Sequence, residues 1–379
     1  MNTINMIALT DTSIFTGEHI LEGYCVLVEG GLVSALVPEA DVPAGIRRTG
    51  LQGALLAPAF IDLQVNGGHG MLFSEHPSAE ALEAMRESCL EGGTSLFLPT
   101  AVTNDSSVIF RAIEAVKQYR AKGGSGVAGL HVEGPYLNPA KRGAHLAQYI
   151  RKPEADEIRS LLEAGRGVIT KITLAPELCS NEVLDLLLDE GIILSAGHSD
   201  ASYEQASAAF EKGVAMATHL YNAMSGLHHR APGLVGAVLD SRAMASIIAD
   251  GFHVAFPVIR ISKKIMGPRL FLITDAVAEN HSGHYLHQFD GEKFTLPDGT
   301  LSGAAITMLG SVRNCVEKAG ISLEEALRMA SLYPAQVLKK DTQYGKIQSG
   351  YRADLVAIGE GFRLKGVWQA GNLAWSDGS

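Results

Sequence analysis

The stretch VAGLHVEGPYLNPAKRGAH, residues 127–145, carries an apolar run that ends on a carboxylate, Glu133, with His131 before it and His145 beyond. A short apolar run reads as a buried strand, and an acid fits there only where the strand ends. The same punctuation recurs along the chain. FIDLQV, TSLFLPT, GLHVEG, ITKITLAP, GIILSAGHS, AMATHLYN, MASIIADG and LFLITDA are eight such runs, and helix-like segments such as SAEALEAMRESCLEGG, SSVIFRAIEAVKQYRAKGG, EADEIRSLLEAG, NEVLDLLLDEG and YEQASAAFEKG alternate with them. Near-continuous apolar strands separated by amphipathic helices describe a parallel sheet covered on both faces. Eight units predict an α/β fold of the TIM-like (β/α)8 barrel type, over residues 56–340. A doubly wound open sheet is the alternative, but no GxGxxG opens the first unit.

Outside this rhythm the two ends of the chain are strand-rich. YCVLVEGGLVSALV reads as a hairpin turning at Glu29-Gly30-Gly31, and GKIQSGYRADLVAI and FRLKGVWQAGNLAWS as short strands punctuated by glycine. Each end is too small to fold alone, so residues 1–55 and 341–379 are expected to pair as one small β-sandwich domain.

Of the 379 residues, 46% are hydrophobic and 19% charged, the balance of a well-packed globule. A formal charge of -10 argues against a broad nucleic-acid or anionic-membrane footprint and leaves room for a small anionic substrate met by local basic groups. The four cysteines, Cys25, Cys89, Cys179 and Cys315, form no CxxC pair and read as reduced thiols. MNTINMIALTDTSIF lacks a basic segment followed by a long apolar core, so a cytoplasmic protein is expected.

In a barrel of this kind the active site sits at the C-terminal ends of the strands. Read in order, those ends give Gln64 and Asn66, Thr100, Glu133, Glu177, His198, His219, Asp250 with His253 just beyond, and Asp275. His198 and His219 are one strand-helix-strand unit apart, which places them on neighbouring strands. One carboxylate and two imidazoles with an open position form the ligand set of a catalytic divalent metal. Asp275, on the last strand, is placed to exchange a proton with the attacking water. His131 shares a face with Glu133 and reads as a supporting group, as do Gln64 and Asn66. His281, His284 and His287 in HSGHYLHQF read as part of a solvated insertion rather than a second metal site, and Lys141-Arg142 as a solvated loop end.

AFIDLQVNGG, LHVEGPYLNPAKRGAH, TLAPE, LSAGHSDA, ATHLYNAM, PGLVGAVLD, IIADGFHV, LITDA, GTLSGAAITM and GKIQSGYRADLV occur in this order over nearly the whole chain. Together they resemble the amidohydrolase superfamily and, within it, the deacetylases that act on N-acetylglucosamine 6-phosphate. HVEGP, GHSDA and THLYNAM carry the narrower resemblance, while the ADLV motif and the barrel are shared across the superfamily. The resemblance implies metal-dependent hydrolysis to glucosamine 6-phosphate and acetate, with Glu133, His198 and His219 as ligands and Asp275 as general acid/base. It further implies that His145 contacts the substrate and polarises the acetyl carbonyl, that His253 contacts the sugar, and that Asn222, the backbone at Ala223 and Arg230 meet the phosphate. Arg230 can act across a homodimer interface in such enzymes. Many superfamily members carry His-x-His where this chain has Gln64-Val65-Asn66, and that departure implies a single divalent ion per subunit; zinc is the ion expected, and the motifs leave open which metal is loaded in the cell. The motifs leave the configuration at C4 of the sugar open, so the galactosamine analogue stands beside glucosamine. A different amide substrate and a non-enzymatic scaffold are the other readings, the second opposed by the presence of all four residues.

Overall fold

The computed structural model describes residues 6–378. Residues 1–5, which begin the stretch read as lacking a leader, lie outside the described residues, as does Ser379. The chain divides into two compact units. One comprises the described residues up to Asp62, Cys89–Leu96 and those from Thr307 onward; the other comprises Leu63–Ser88 and Phe97–Ile306.

All eight apolar runs are strands. Phe60–Val65, Thr94–Val102, Leu130–Glu133, Ile169–Leu174, Ile193–Ala196, Met216–Ala217, Met244–Ile247 and Leu270–Leu272 lie side by side in sequence order, and every registered pair is parallel. The ring is brought round to its start just beyond the last strand. There the Asp275 N–H donates to the Gln64 carbonyl at 3.0 Å and the Asn66 N–H to the Ala276 carbonyl at 2.8 Å. Parallel strands need helical crossovers, and the sequence caps these helices explicitly. The Asp105 side chain accepts from the Ser107 N–H at the start of Ser106–Ala121, and Ser202 and Gln205 form a reciprocal capping box before Tyr203–Lys212.

The terminal segments build a second sheet, as expected. From one edge to the other it runs Asn372–Ser376, Leu364–Gln369, Leu355–Ile358, Arg47–Pro58, Ile7–Phe15, Tyr24–Glu29 and Leu32–Pro38, with Ile20–Leu21 added to Ile7–Phe15. Leu355–Ile358 pairs antiparallel with Leu55–Pro58, joining the two ends of the chain. The strand period sorts its side chains into two cores. Ala8, Cys25 and Leu27 pack on one face, and Leu9, Val26 and Val28 on the other. Gly30 and Gly31, with φ of 57° and 83°, supply the left-handed pair that a two-residue hairpin requires. Among the described residues no helix is long and apolar enough to cross a membrane.

Candidate active site

Strand Leu130–Glu133 stops where the sequence suggested, and the next residue explains the stop. Gly134 has φ 78°, and a Cβ there would collide with Thr103 Oγ1. The chain therefore leaves the sheet and leaves the buried Glu133 carboxylate at the rim. Two further strands end on histidines in the same left-handed region, His198 at φ 48° and His219 at φ 36°. Non-glycine residues pay for that conformation and keep it where the surroundings fix it, as at functional sites.

The three side chains converge. His219 Nε2 lies 3.1 Å from Glu133 Oε1 and 3.1 Å from His198 Nε2, and His198 Nε2 lies 3.4 Å from the same carboxylate oxygen. One ligating atom from each falls within 4.8 Å of the others, and all three residues are buried. His198 Nδ1 is 2.9 Å from the Lys141 carbonyl, an acceptor only, so Nδ1 carries the proton and Nε2 turns its lone pair toward the cluster. Two imidazoles and a carboxylate facing one another at this range suit a divalent cation. Burial alone would push the Glu133 carboxyl up; its interactions with the surrounding imidazoles of His198, His219 and His145 outweigh it and hold the carboxyl well below its usual range.

Asp275, also left-handed at φ 54°, faces this cluster. Its Oδ1 accepts from Gln64 Nε2 at 3.0 Å and from Asn66 Nδ2 at 2.7 Å, and the same Gln64 nitrogen is 3.1 Å from each Glu133 oxygen. The amides at 64 and 66 thus present N–H groups to carboxylates. Burial first, then the charge of Glu133, raises the Asp275 pKa, which makes it a stronger proton acceptor than an exposed aspartate.

The surrounding wall brings in His145, Asn222, Ala223 and His253, which line the same pocket as the cluster and Asp275. His145 Nδ1 sits 2.8 Å from Thr103 Oγ1, and burial lowers its pKa to about 3, so it is neutral near pH 7. His253 Nδ1 is 2.6 Å from Asp250 Oδ2, while Asp250 Oδ1 accepts the N–H groups of Phe252 and His253. His131 is fully buried, 3.1 Å from Thr100 Oγ1 and 2.8 Å from Thr173 Oγ1.

Several sequence expectations fall differently. Glu177 does not line the pocket; it ties loops together by accepting from Asn138 Nδ2, Ser199 Oγ and the Asp200 N–H. Lys141 is more than a solvated loop end, since its carbonyl orients His198. Arg230 lies exposed in the loop after Asn222 and does not line this pocket. The insertion with three histidines is not uniformly solvated either. His281 is exposed, but Tyr285 and His287 are buried in the pocket wall. The reason is Glu75, whose Oε1 accepts the N–H groups of His284 and Tyr285 at 2.8 and 2.9 Å and draws the loop inward. Thr103, Glu75 and Ser302 were not singled out from the sequence, because a single hydroxyl or acid in a loop carries no periodic signal.

Comparison with known proteins adds a second line of argument. Residues 55–374 match the amidohydrolase family and residues 6–56 the NagA composite domain. The chain is 39% identical to an N-acetylglucosamine-6-phosphate deacetylase of Haemophilus influenzae, over 95% of this chain and 97% of that protein. It is 34% identical to an N-acetylgalactosamine-6-phosphate deacetylase of Escherichia coli O157:H7, again over 95% of this chain and 97% of the relative. The crystal structure of N-acetylglucosamine-6-phosphate deacetylase from Pasteurella multocida superposes with a TM-score of 0.94 at 40% identity, covering 97% of this chain and 99% of that one.

Proposed function

This chain belongs to the amidohydrolase family, and on that premise we propose that it hydrolyses N-acetyl-D-glucosamine 6-phosphate to D-glucosamine 6-phosphate and acetate. The observation that carries the reading is the convergence of Glu133, His198 and His219 within 4.8 Å, with Asp275 joined to the Glu133 carboxylate through one Gln64 amide. The barrel carries the chemistry, and the reaction belongs to amino-sugar catabolism and recycling.

Glu133, His198 and His219 would hold one divalent ion per subunit, zinc, which when bound supplies Lewis acidity toward water and the amide carbonyl. The amide groups of Gln64 and Asn66 support a single ion, because they point N–H donors where a second cation would need lone pairs. Asp275 takes the proton of the attacking water, aided by its raised pKa, and returns it to the nitrogen of the departing amine. His145, neutral and fixed by Thr103, donates from Nε2 to the acetyl oxygen as negative charge develops there; this requires the Thr103 hydroxyl to donate to Nδ1. His253, oriented by Asp250, contacts the sugar. Asn222 and the backbone at Ala223 meet the phosphate.

Arg230 completes the phosphate site from a second copy of the chain, in a homodimer. Its exposure away from the pocket of its own chain supports that reading, as do the exposed Leu227 in the same loop and the exposed Ile261 and Ile265 of helix Phe256–Met266. Free thiols at Cys25, Cys89, Cys179 and Cys315 suit the reducing cytoplasm.

Acetate release tests the proposal, measured with N-acetylglucosamine 6-phosphate, its galactosamine counterpart and the unphosphorylated sugar. Each is offered to protein as purified, chelated, and chelated then reloaded with zinc. Metal-dependent turnover of the phosphorylated glucosamine derivative in preference to the others is expected. Preference for the galacto isomer would move the substrate to that of the second relative, and no turnover after reloading would overturn the reading.

A further inference from the structure

Between Asp275 and Ile306 the chain leaves the barrel rim, makes the short hairpin of Gln288–Phe289 and Phe294–Thr295, and returns so that the Ala304 N–H donates to the Asp275 carbonyl at 3.0 Å. This insert forms a pocket wall from Val277, Tyr285, His287, Leu301 and Ser302. None of the chemistry above uses it.

The His287 ring is fixed on three sides. Nδ1 lies 2.9 Å from Ser302 Oγ, Tyr285 stacks on one face with centroids 6.2 Å apart and planes at 12°, and Phe294 meets it edge-on at 6.4 Å. Tyr285 is itself tied down, its hydroxyl donating to the Thr103 carbonyl at 2.5 Å and its N–H to Glu75. His287 Nε2 has no hydrogen-bond partner among the described residues. Burial lowers the His287 pKa to about 4, so the ring is neutral near pH 7 and offers one donor and one acceptor.

A wall of Val277, Leu301 and two rings, with the Ser302 and Tyr285 hydroxyls already bonded and one imidazole nitrogen left over, suits a sugar ring, whose C–H surface packs on carbon while a hydroxyl seeks a partner. The substituents on C2 and C6 already have theirs, in the metal cluster with Asp275 and in the Asn222–Ala223 turn. Of the three free hydroxyls, that on C1 changes configuration as the sugar mutarotates and offers no fixed feature to read, which leaves those on C3 and C4 to be shared between His253 and the insert. We infer that His287 is a specificity-determining residue whose Nε2 hydrogen-bonds one of these two hydroxyls, an inference that rests on the phosphosugar reading above.

The test compares wild type with His287→Phe, which keeps the aromatic stack, and His287→Gln, which restores a polar end. Substrates are N-acetylglucosamine 6-phosphate, its 3-deoxy and 4-deoxy analogues and its C4 epimer. On the parent sugar His287→Phe is expected to lower kcat/KM roughly tenfold, mainly through KM, as for loss of one hydrogen bond. His287→Gln should recover part of the loss. On the deoxy sugar that lacks the hydroxyl being read, wild type and His287→Phe should agree within about twofold, because the partner is already gone. Tm and metal content like those of wild type show that the variants are folded. An equal loss on all four substrates would reduce His287 to a prop for the wall and overturn the inference alone. A wild type that is inactive on the parent sugar overturns the functional reading and this inference with it.

Discussion

The two halves of the pocket are built by different means. On the barrel side, Glu133, His198, His219 and Asp275 stand at the ends of hydrogen-bonded parallel strands, and the sheet sets their spacing. On the insert side, Tyr285, His287 and Ser302 belong to a loop with only a two-residue strand pair of its own, held chiefly by the Glu75 carboxylate on its backbone and by the Tyr285 hydroxyl on the Thr103 carbonyl. A sheet fixes positions through a regular backbone ladder, whereas the loop depends on a few individual contacts. The barrel side therefore suits chemistry that must not vary, and the insert side suits the choice of substrate.

Changes on the barrel side should accordingly abolish turnover, while changes on the insert side should rescale it. The largest effect is expected from Glu133→Ala or from chelation. Each should empty the centre and cost at least about 10³-fold in kcat, restored by zinc only in the chelated wild type. Asp275→Asn should retain metal by elemental analysis yet lose roughly 10²- to 10⁴-fold in kcat; full activity would remove Asp275 from the proton path. Arg230→Ala should raise KM for the phosphorylated sugar about tenfold or more with little effect on kcat, and an unchanged KM would remove it from the phosphate site. Glu75→Ala, which frees the insert without touching the cluster, should raise KM only a few-fold while metal content stays at the wild-type value. Equal damage from Glu75→Ala and Asp275→Asn would break the division between the two sides.

The smallest expected effect is on stability in acid. His145 and His287 have folded pKa values lowered to about 3 and about 4, below the ordinary imidazole value near 6.5. Between those limits the unfolded chain binds more protons than the folded one, so their contribution is complete above about pH 6.5 and shrinks as pH falls toward 4. Tm measured from pH 7 to pH 4.5 should decline, and His287→Phe should flatten the decline.

The sequence was legible where periodicity spoke. Eight apolar runs became eight strands in order, and their polar last residues became the cluster, because a buried strand can end on Glu133 or His219 only where something faces them. The terminal strands were legible in type, though the antiparallel pairing of Leu355–Ile358 with Leu55–Pro58 is a contact across some 300 residues that no local pattern encodes. The insert was misread because its burial comes from Glu75, an acid far away in sequence whose task is to accept two backbone N–H groups. Glu177 misled for the opposite reason. Position made it a rim residue, yet its oxygens are consumed by Asn138, Ser199 and Asp200.

Gln64 bears on how the centre handles a proton. Its amide nitrogen has two hydrogens and three carboxylate oxygens within 3.1 Å, two on Glu133 and one on Asp275. Were Asp275 to take up a proton, as proposed, its pull on the amide would weaken, and the hydrogens it shared could settle on the Glu133 oxygens. The loaded and unloaded forms of the site can then differ by a redistribution of hydrogens over atoms already in place. A turnover that reshuffles hydrogens within a fixed frame needs no rearrangement of the strands, and Gln64 is the residue through which the two carboxylates share the load.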